Sequence, residues 1–219
     1  SLIVGLVGIG LFPFSSKILF LIGTLLLQLW YLLDHVDGQI ARYRKSACLS
    51  GRFFDFLTHH IIHGVIFFSL GLYAYQATQN FFFVMWGFVS AFAMMLFNLL
   101  NDTKYKTFFE ALVNLKVVQI VPSDTLSSTL KAPSSSSFSR RVFSFLHKMC
   151  EIHVLMNVLT VTALFEVSVP GSPDGRLVLM ILYGIIVPMT TITKSVYLIQ
   201  NLKIDDEFKN TFRQVDLPR

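Results

Sequence analysis

Acidic and basic side chains stand close together in two short stretches of this sequence, beside segments that are otherwise apolar. The stretches contain, in order, Asp34, Asp37, Gly38, Ala41 and Arg42, and then Gly51, Asp55 and His59. In a helix Asp34, Asp37, Gly38 and Ala41 lie on one face, and Gly51, Asp55 and His59 lie on one face of a second helix. Carboxylates and residues with little side chain therefore share a surface. Carboxylates on one face can bind divalent metal ions, and small residues let a phosphate approach the backbone. The eight residues between the two groups are enough for the chain to turn, so we expect the faces to meet.

The spacing of these residues resembles the signature of the CDP-alcohol phosphotransferases, D-x2-D-G-x2-A-R-x8-G-x3-D-x3-D. Seven of its eight fixed positions match, and His59 stands where the family has a fourth aspartate. Members are integral membrane enzymes that move a phospho-alcohol from a cytidine diphosphate donor onto an acceptor hydroxyl and release CMP. The resemblance therefore implies a divalent-metal-dependent transferase in the synthesis of phospholipids or related glycoconjugates. It does not identify the alcohol or the acceptor.

The resemblance also implies roles for individual residues. The metal ligands would be Asp34, Asp37 and Asp55, which would hold Mg²⁺ or Mn²⁺ as two ions. The donor's cytidine and diphosphate would contact Asp34, Gly38, Ala41, Arg42 and Gly51. His59 replaces the aspartate taken as the general base for the acceptor hydroxyl. A neutral imidazole can accept a proton, so the substitution is compatible with activity, and equally with a changed or lost acceptor.

Other interpretations of the same residues stay open at this point. A single aspartate near the end of a membrane span is often a helix cap, and His59 can be a buried histidine bonded to a neighbour. A non-catalytic protein that binds a nucleotide or lipid on the same scaffold is the main alternative function. A cation or proton transporter also places acids in a membrane, although acids clustered near one end of the spans count against it.

The composition indicates that the chain lies in a bilayer. Hydrophobic residues make up 53% of the 219 residues, with 22 Phe and a mean hydropathy of +0.61. Charged residues make up 14%, whereas about 25% is usual for soluble proteins. We therefore predict an all-α fold, a polytopic membrane bundle of about six transmembrane helices. The expected spans are 2–14, 18–33, 53–75, 81–100, 150–169 and 177–200.

The domain organisation follows from these spans. Residues 1–200 form one predicted transmembrane catalytic domain, with the motif at 34–59 and a cytoplasmic connector at about 102–148, and residues 201–219 form a cytoplasmic tail. The first span is short for the roughly 20 residues that a bilayer requires, so we expect it to have lost its beginning. We expect Cys48 and Cys150 to be reduced, because two cysteines give no disulfide framework.

The basic residues predict the orientation of the chain. Of its 18 lysines and arginines, only Lys17 and Arg176 fall on the side of the membrane opposite to the motif. Under the positive-inside rule the motif and the C-terminus therefore face the cytoplasm. The net charge of +5 is explained by this bias, so we predict membrane lipids and no nucleic acid as partners. The resemblance further suggests a homodimer.

The later spans carry few polar side chains that an acceptor could contact. Asn157 and His153 are spaced to line a pocket, although hydrogen bonds between helices explain them equally well. Lys148 and Lys194 are weak candidates for binding an anionic acceptor, and Lys194 is close enough to the cytoplasmic end to extend its ammonium into water.

Overall fold

Seven α-helices make up the part of the chain that the computed structural model describes, which is residues 1–45, 48–114, 138–169 and 171–200. In chain order they are α1 Leu2–Gly10, α2 Lys17–Tyr43, α3 Leu49–Thr78, α4 Phe82–Asn114, α5 Phe138–Met149, α6 Ile152–Ser168 and α7 Gly175–Gln200. No strand occurs within the described ranges. The predicted all-α class is confirmed.

Of the helices in the described ranges, four are long and apolar enough to cross a bilayer, namely α2, α3, α4 and α7. The helices α5 and α6 meet the same criterion only as a pair, with a bend of 72° between them. Helix α1 has nine residues, fewer than the roughly 20 that a span requires. The predicted membrane bundle is therefore confirmed, with four to five helices that qualify as spans where about six were expected.

The predicted connector is helical at both of its described ends. Helix α4 continues without a break from the apolar segment to Asn114, and Lys106 lies 3.9 Å from Glu110 one turn later on its exposed surface. Pairs of this spacing stabilise a solvated helix. Helix α5 begins at Phe138. Residues 115–137 and the predicted tail from Asn201 lie outside the described residues.

Helix α3 lies at the centre of the bundle and packs against α1, α4 and α7. Its buried face carries Ile62, Ile66, Phe67 and Leu70, which follow the helical spacing of three to four residues. The outer helix surfaces are also apolar, as the exposed side chains of Phe88 and Phe92 on α4 illustrate. A membrane bundle has this property because lipid covers its outer surface.

Two pairs of glycines allow helices to pack closely. A Cβ on Gly8 of α1 would lie 2.7 Å from the carbonyl oxygen of Gly23 on α2, and one on Gly71 of α3 would lie 2.8 Å from the Cα of Gly87 on α4. Any larger residue at these positions would force the backbones apart. Close contact between small residues is a main source of attraction between helices in lipid.

A buried arginine, Arg176 at the start of α7, contacts the connection between α1 and α2. This contact lies at the end of the bundle opposite to the motif. Arg176 donates to the carbonyl oxygens of Phe14 at 2.7 Å and Ser15 at 3.4 Å, next to the turn before α2. Its guanidinium lies 3.6 Å from the ring centre of Tyr73, and its Nε is 3.4 Å from Oε2 of Glu166. The sequence indicated only that Arg176 lies in a loop, but its side chain is almost fully buried.

Candidate active site

The first half of the motif lies on the last three turns of α2. This helix starts at the cap residue Ser16, whose Oγ accepts a hydrogen bond from the backbone N–H of Leu19, and it runs through the motif to Tyr43. The change from apolar to charged residues after Leu33 therefore does not end the helix. As a result, the motif residues of α2 keep the helical spacing predicted from the sequence.

The second half of the motif lies on the first turns of α3. Cys48 caps this helix, because its Sγ accepts a hydrogen bond from the backbone N–H of Gly51 at 3.3 Å. Asp55 and His59 follow one and two turns later on the same face. Helices α2 and α3 are not among the closely packed pairs of described helices, whereas α1 packs against both. Long side chains must therefore reach across the space between α2 and α3.

Three motif side chains meet across this space. Nε2 of His59 lies 3.0 Å from Oδ2 of Asp34 and 3.4 Å from Oδ1 of Asp55. One ligand atom from each residue lies within 4.8 Å of the other two. The two aspartates and the histidine are thus brought together from separate helices, as the spacing of the motif predicts.

The cluster offers two carboxylates and one imidazole, which are donor types that a divalent metal can use. The contact of 3.0 Å between His59 and Asp34 is also a hydrogen bond. The Asp34 side chain is 14% exposed and that of Asp55 is 48% exposed. The cluster is therefore anchored inside the protein and open to solvent on one side, where a substrate can enter.

Asp37 lies outside this group of three. It is exposed and sits about one turn after Asp34 on α2. The predicted third carboxylate ligand is therefore on the expected helix, but its carboxylate is not part of the cluster that Asp34, Asp55 and His59 form among the described residues.

The predicted donor-binding residues lie near the cluster on α2 and α3, and Gly38, Ala41 and Gly51 among them have little or no side chain. The guanidinium of Arg42 extends back along α2 over Gly38, where an added Cβ would be 3.7 Å from one of its terminal nitrogens. At Gly51 an added Cβ would have only the Sγ of Cys48 near it, at 3.5 Å. Ala41, which lies between these two glycines in the sequence, is half-buried. Residues with little side-chain bulk therefore lie beside an exposed arginine.

Trp30 packs against the ring of His59. The sequence alone does not single out Trp30 as part of the site. Its indole ring is buried, and the ring centre lies 5.2 Å from that of His59. Gly5 of α1 makes room for the indole, since an added Cβ there would be 3.1 Å from Cγ of Trp30. The available signal was the position of Trp30, which lies one turn before Asp34 on the same helix face.

The other histidines near the motif have different partners. Nε2 of His60 lies 3.0 Å from Oδ2 of Asp102 on α4, and its Nδ1 donates to the carbonyl of Phe56. Nδ1 of His63 pairs with the side-chain amide of Asn98, also on α4. His60 therefore faces away from the cluster, as its rotation of about 100° from His59 predicts.

The polar residues of the later helices mostly bond to other helices. Asn157 accepts a hydrogen bond from Nε2 of Gln28 on α2 at 3.2 Å. This is a hydrogen bond between helices, the alternative to a role in an acceptor pocket. His153 lies 3.2 Å from a carboxylate oxygen of Glu151. Lys194 is buried and donates to Oδ1 of Asn101, so the expectation that it extends into water is wrong. Lys148 is exposed.

The apolar helices indicate a multi-pass membrane protein, and the cluster of Asp34, Asp55 and His59 at one end of α2 and α3 could hold a metal ion. The family model of the CDP-alcohol phosphatidyltransferases matches residues 2–161, and the chain belongs to this family. The match includes both halves of the site and the helices that support them. Members are phosphate-group transferases that generally depend on a divalent metal and use a CDP-alcohol and an alcohol acceptor in membranes. Searches of curated proteins and of solved structures gave no match to the chain.

Proposed function

We propose that this chain is an integral membrane transferase that moves a phospho-alcohol group, phosphatidyl or similar, from a CDP-alcohol to an acceptor hydroxyl. The observation that carries the proposal is the convergence of Asp34, Asp55 and His59 from two helices in a member of a phosphotransferase family. The acceptor oxygen forms a bond to the phosphorus that bears the alcohol. The bond from this phosphorus to the bridging oxygen breaks, and CMP leaves with that oxygen.

The carboxylates of Asp34, Asp37 and Asp55 would hold Mg²⁺ or Mn²⁺, as two ions. A bound divalent ion neutralises the charge that develops on the leaving phosphate. Asp34 and Asp55 supply ligands to the cluster, and Asp37 supplies a further carboxylate from its exposed position one turn along α2. An ionised side chain costs roughly 2.5–3.5 kcal/mol within a membrane on insertion scales, so several acids here are consistent with a bound cation.

The open surface around Arg42 would receive the donor. Its guanidinium can bind diphosphate oxygens through paired hydrogen bonds, and it lies over Gly38, which has no side chain to hinder a ligand that approaches the guanidinium. Ala41 and Gly51 present no bulk to the cytidine. A lipid-linked donor would enter sideways from the bilayer, since the space between α2 and α3 is not closed by tight packing of these helices.

His59 has two chemically distinct roles open to it in this reaction. As a neutral imidazole it can take the proton of the acceptor hydroxyl, which is the role of the aspartate that it replaces. Its Nε2 can instead coordinate the metal. One ring nitrogen cannot do both at once, because the same lone pair is used in each role.

The proposed setting is a multi-pass membrane protein whose site and C-terminus face the cytoplasm, where CDP-linked donors are made. This orientation is supported by the distribution of basic residues. The product would enter phospholipid or related glycoconjugate synthesis. A homodimer is proposed on the family resemblance alone.

The test measures CMP release by the purified chain in detergent, with CDP-alcohols radiolabelled in the cytidine and with Mg²⁺ or Mn²⁺ added. We expect release that requires a metal and that falls about a hundredfold or more in Asp55→Asn. The matched control is Glu110→Gln, which makes the same change at an exposed acid on α4 and should leave the rate unchanged. Equal rates in the two variants would contradict the proposal.

A second candidate function is nucleotide or lipid binding without catalysis. The contact of 3.0 Å between His59 and Asp34 favours it, since a protonated imidazole can neutralise the carboxylates in place of a metal. In that case CDP-alcohol binds with no turnover for any acceptor. Turnover that appears in His59→Asp would identify the histidine as the cause of the loss.

A further inference from the structure

His59 introduces a nitrogen atom into a metal site whose other ligands are oxygen atoms. Its Nε2 contacts both carboxylates, at 3.0 Å from Oδ2 of Asp34 and 3.4 Å from Oδ1 of Asp55. The shorter distance equals the separation of neighbouring ligands on a single ion, about 3.0 Å for ligands at about 2.1 Å. One ligand atom from each of the three residues lies within 4.8 Å of the other two.

The surroundings of His59 hold the ring in this orientation. The buried indole of Trp30 lies behind the imidazole, with ring planes 58° apart. The His59 side chain is 29% exposed, so the protein covers most of it. An ordered ring with one nitrogen among two carboxylates needs little reorganisation to coordinate an ion.

The neighbouring histidines are engaged elsewhere. His35 donates from Nδ1 to the carbonyl of Tyr31 at 2.9 Å and packs on the Tyr31 ring. The ring nitrogens of His60 contact Asp102 and Phe56, and His63 pairs with Asn98. Within the described segments, His59 is the histidine that contributes to the candidate metal group.

We propose that His59 is a metal ligand through Nε2 and that it makes the site selective for Mn²⁺ over Mg²⁺. The inference rests on the proposed function for the location of the metal. Carboxylates alone suit Mg²⁺, whereas imidazole favours first-row transition metals. Mn²⁺ accepts both ligand types, so it matches a site with two carboxylates and one imidazole. A coordinated Nε2 cannot accept a proton, and His59 is then not the general base.

The test uses the full chain in detergent micelles with MnCl₂ or MgCl₂ and no nucleotide. Calorimetric titration should give Mn²⁺ binding at least about tenfold tighter than Mg²⁺ binding. In His59→Asp this preference should fall about tenfold, because the site then has only oxygen ligands. Pulsed EPR of bound Mn²⁺ should detect coupling to a directly coordinated nitrogen in the wild type and lose it in His59→Asp.

Two variants keep the outcome clear. His35→Gln should retain the nitrogen coupling, because His35 is not part of the group that Asp34, Asp55 and His59 form and its Nδ1 donates to the carbonyl of Tyr31. His59→Gln has no ring nitrogen and replaces His59→Asp if thermal unfolding shows that the latter does not fold. Absence of nitrogen coupling in the wild type, coupling that survives the loss of His59, or no Mn²⁺ binding at all would overturn the inference. Nitrogen-coupled Mn²⁺ without CMP release would instead refute the proposed transferase and leave the inference standing.

Discussion

The indole of Trp30 and the imidazole of His59 are in contact, with ring centres 5.2 Å apart, across the two helices that carry the motif. Trp30 is fully buried, so it forms a rigid wall against which His59 turns Nε2 towards Asp34. Because α2 and α3 are not closely packed, this contact contributes to the relative position of the two halves of the site, together with helix α1, which packs against both.

Replacement of Trp30 by leucine should weaken metal binding without removing a ligand. The smaller side chain frees the His59 ring, and loss of the groups that orient a ligand typically costs about tenfold in metal affinity. The measurement is calorimetric titration of Mn²⁺ in detergent. Trp86→Leu is the control, because Trp86 stacks on Phe82 of α4 and its loss should lower thermal stability but not Mn²⁺ affinity. Equal affinities in both variants would rule out the positioning role of Trp30.

Much of this centre could be predicted from the sequence because its residues are local. Asp34 on α2 and Asp55 and His59 on α3 follow helical spacing, and the two helices are consecutive, so a short turn is enough to bring them together. Trp30 was missed because one aromatic residue in an apolar span has no distinguishing pattern. Asp37 satisfies the motif, but spacing alone does not determine whether its side chain joins the cluster or stays exposed.

The contacts of Arg176, at the end of the bundle opposite to the motif, could not be predicted from the sequence, because they join residues that are distant in the sequence. Hydropathy indicates that Arg176 lies in a loop, and nothing near it in sequence reveals that its partners are the carbonyls before α2. The count of spans was also uncertain, because a bend between α5 and α6 does not alter the hydropathy pattern. Lys194 illustrates the same limit, since its partner Asn101 lies on another helix.

The crossing of α1 and α2 should not tolerate a methyl group at Gly8. A Cβ there would be 2.7 Å from the backbone carbonyl of Gly23, which cannot move without the whole helix. We expect Gly8→Ala to destabilise the protein by about 1–3 kcal/mol, measured by thermal unfolding in detergent.

Gly10→Ala is the matched control for this prediction. It lies on the same helix, and an added Cβ there would have no atom within 4 Å. Its midpoint of unfolding should stay the same or rise slightly, because alanine favours a helix over glycine. A decrease as large as that of Gly8→Ala would show that the loss arises from helix α1 itself and not from its crossing with α2.

The buried pair of Arg176 and Glu166 should be essential for stability. Arg176→Met leaves a buried carboxylate without its countercharge and removes the donors to three backbone carbonyls. Breaking a buried pair costs about 3–5 kcal/mol. Lys106→Met breaks the exposed pair with Glu110 and should change the unfolding midpoint very little. The double variant Arg176→Met with Glu166→Leu should recover part of the loss. Similar midpoints for Arg176→Met and Lys106→Met would contradict this account.

The orientation of the chain can be tested with its own cysteines. Cys48 is exposed beside the motif, and Cys150 is buried, so a membrane-impermeant maleimide should react with Cys48 alone. In sealed vesicles whose cytoplasmic surface faces outward, we expect Cys48 to be labelled without detergent, because the basic residues place the motif on that side. In a Cys48→Ser background, Pro173→Cys reports on the turn before α7, which is exposed at the other end of the bundle. This cysteine should react only after detergent is added, and labelling in the reverse pattern would place the candidate site on the opposite side of the membrane from cytoplasmic CDP-linked donors.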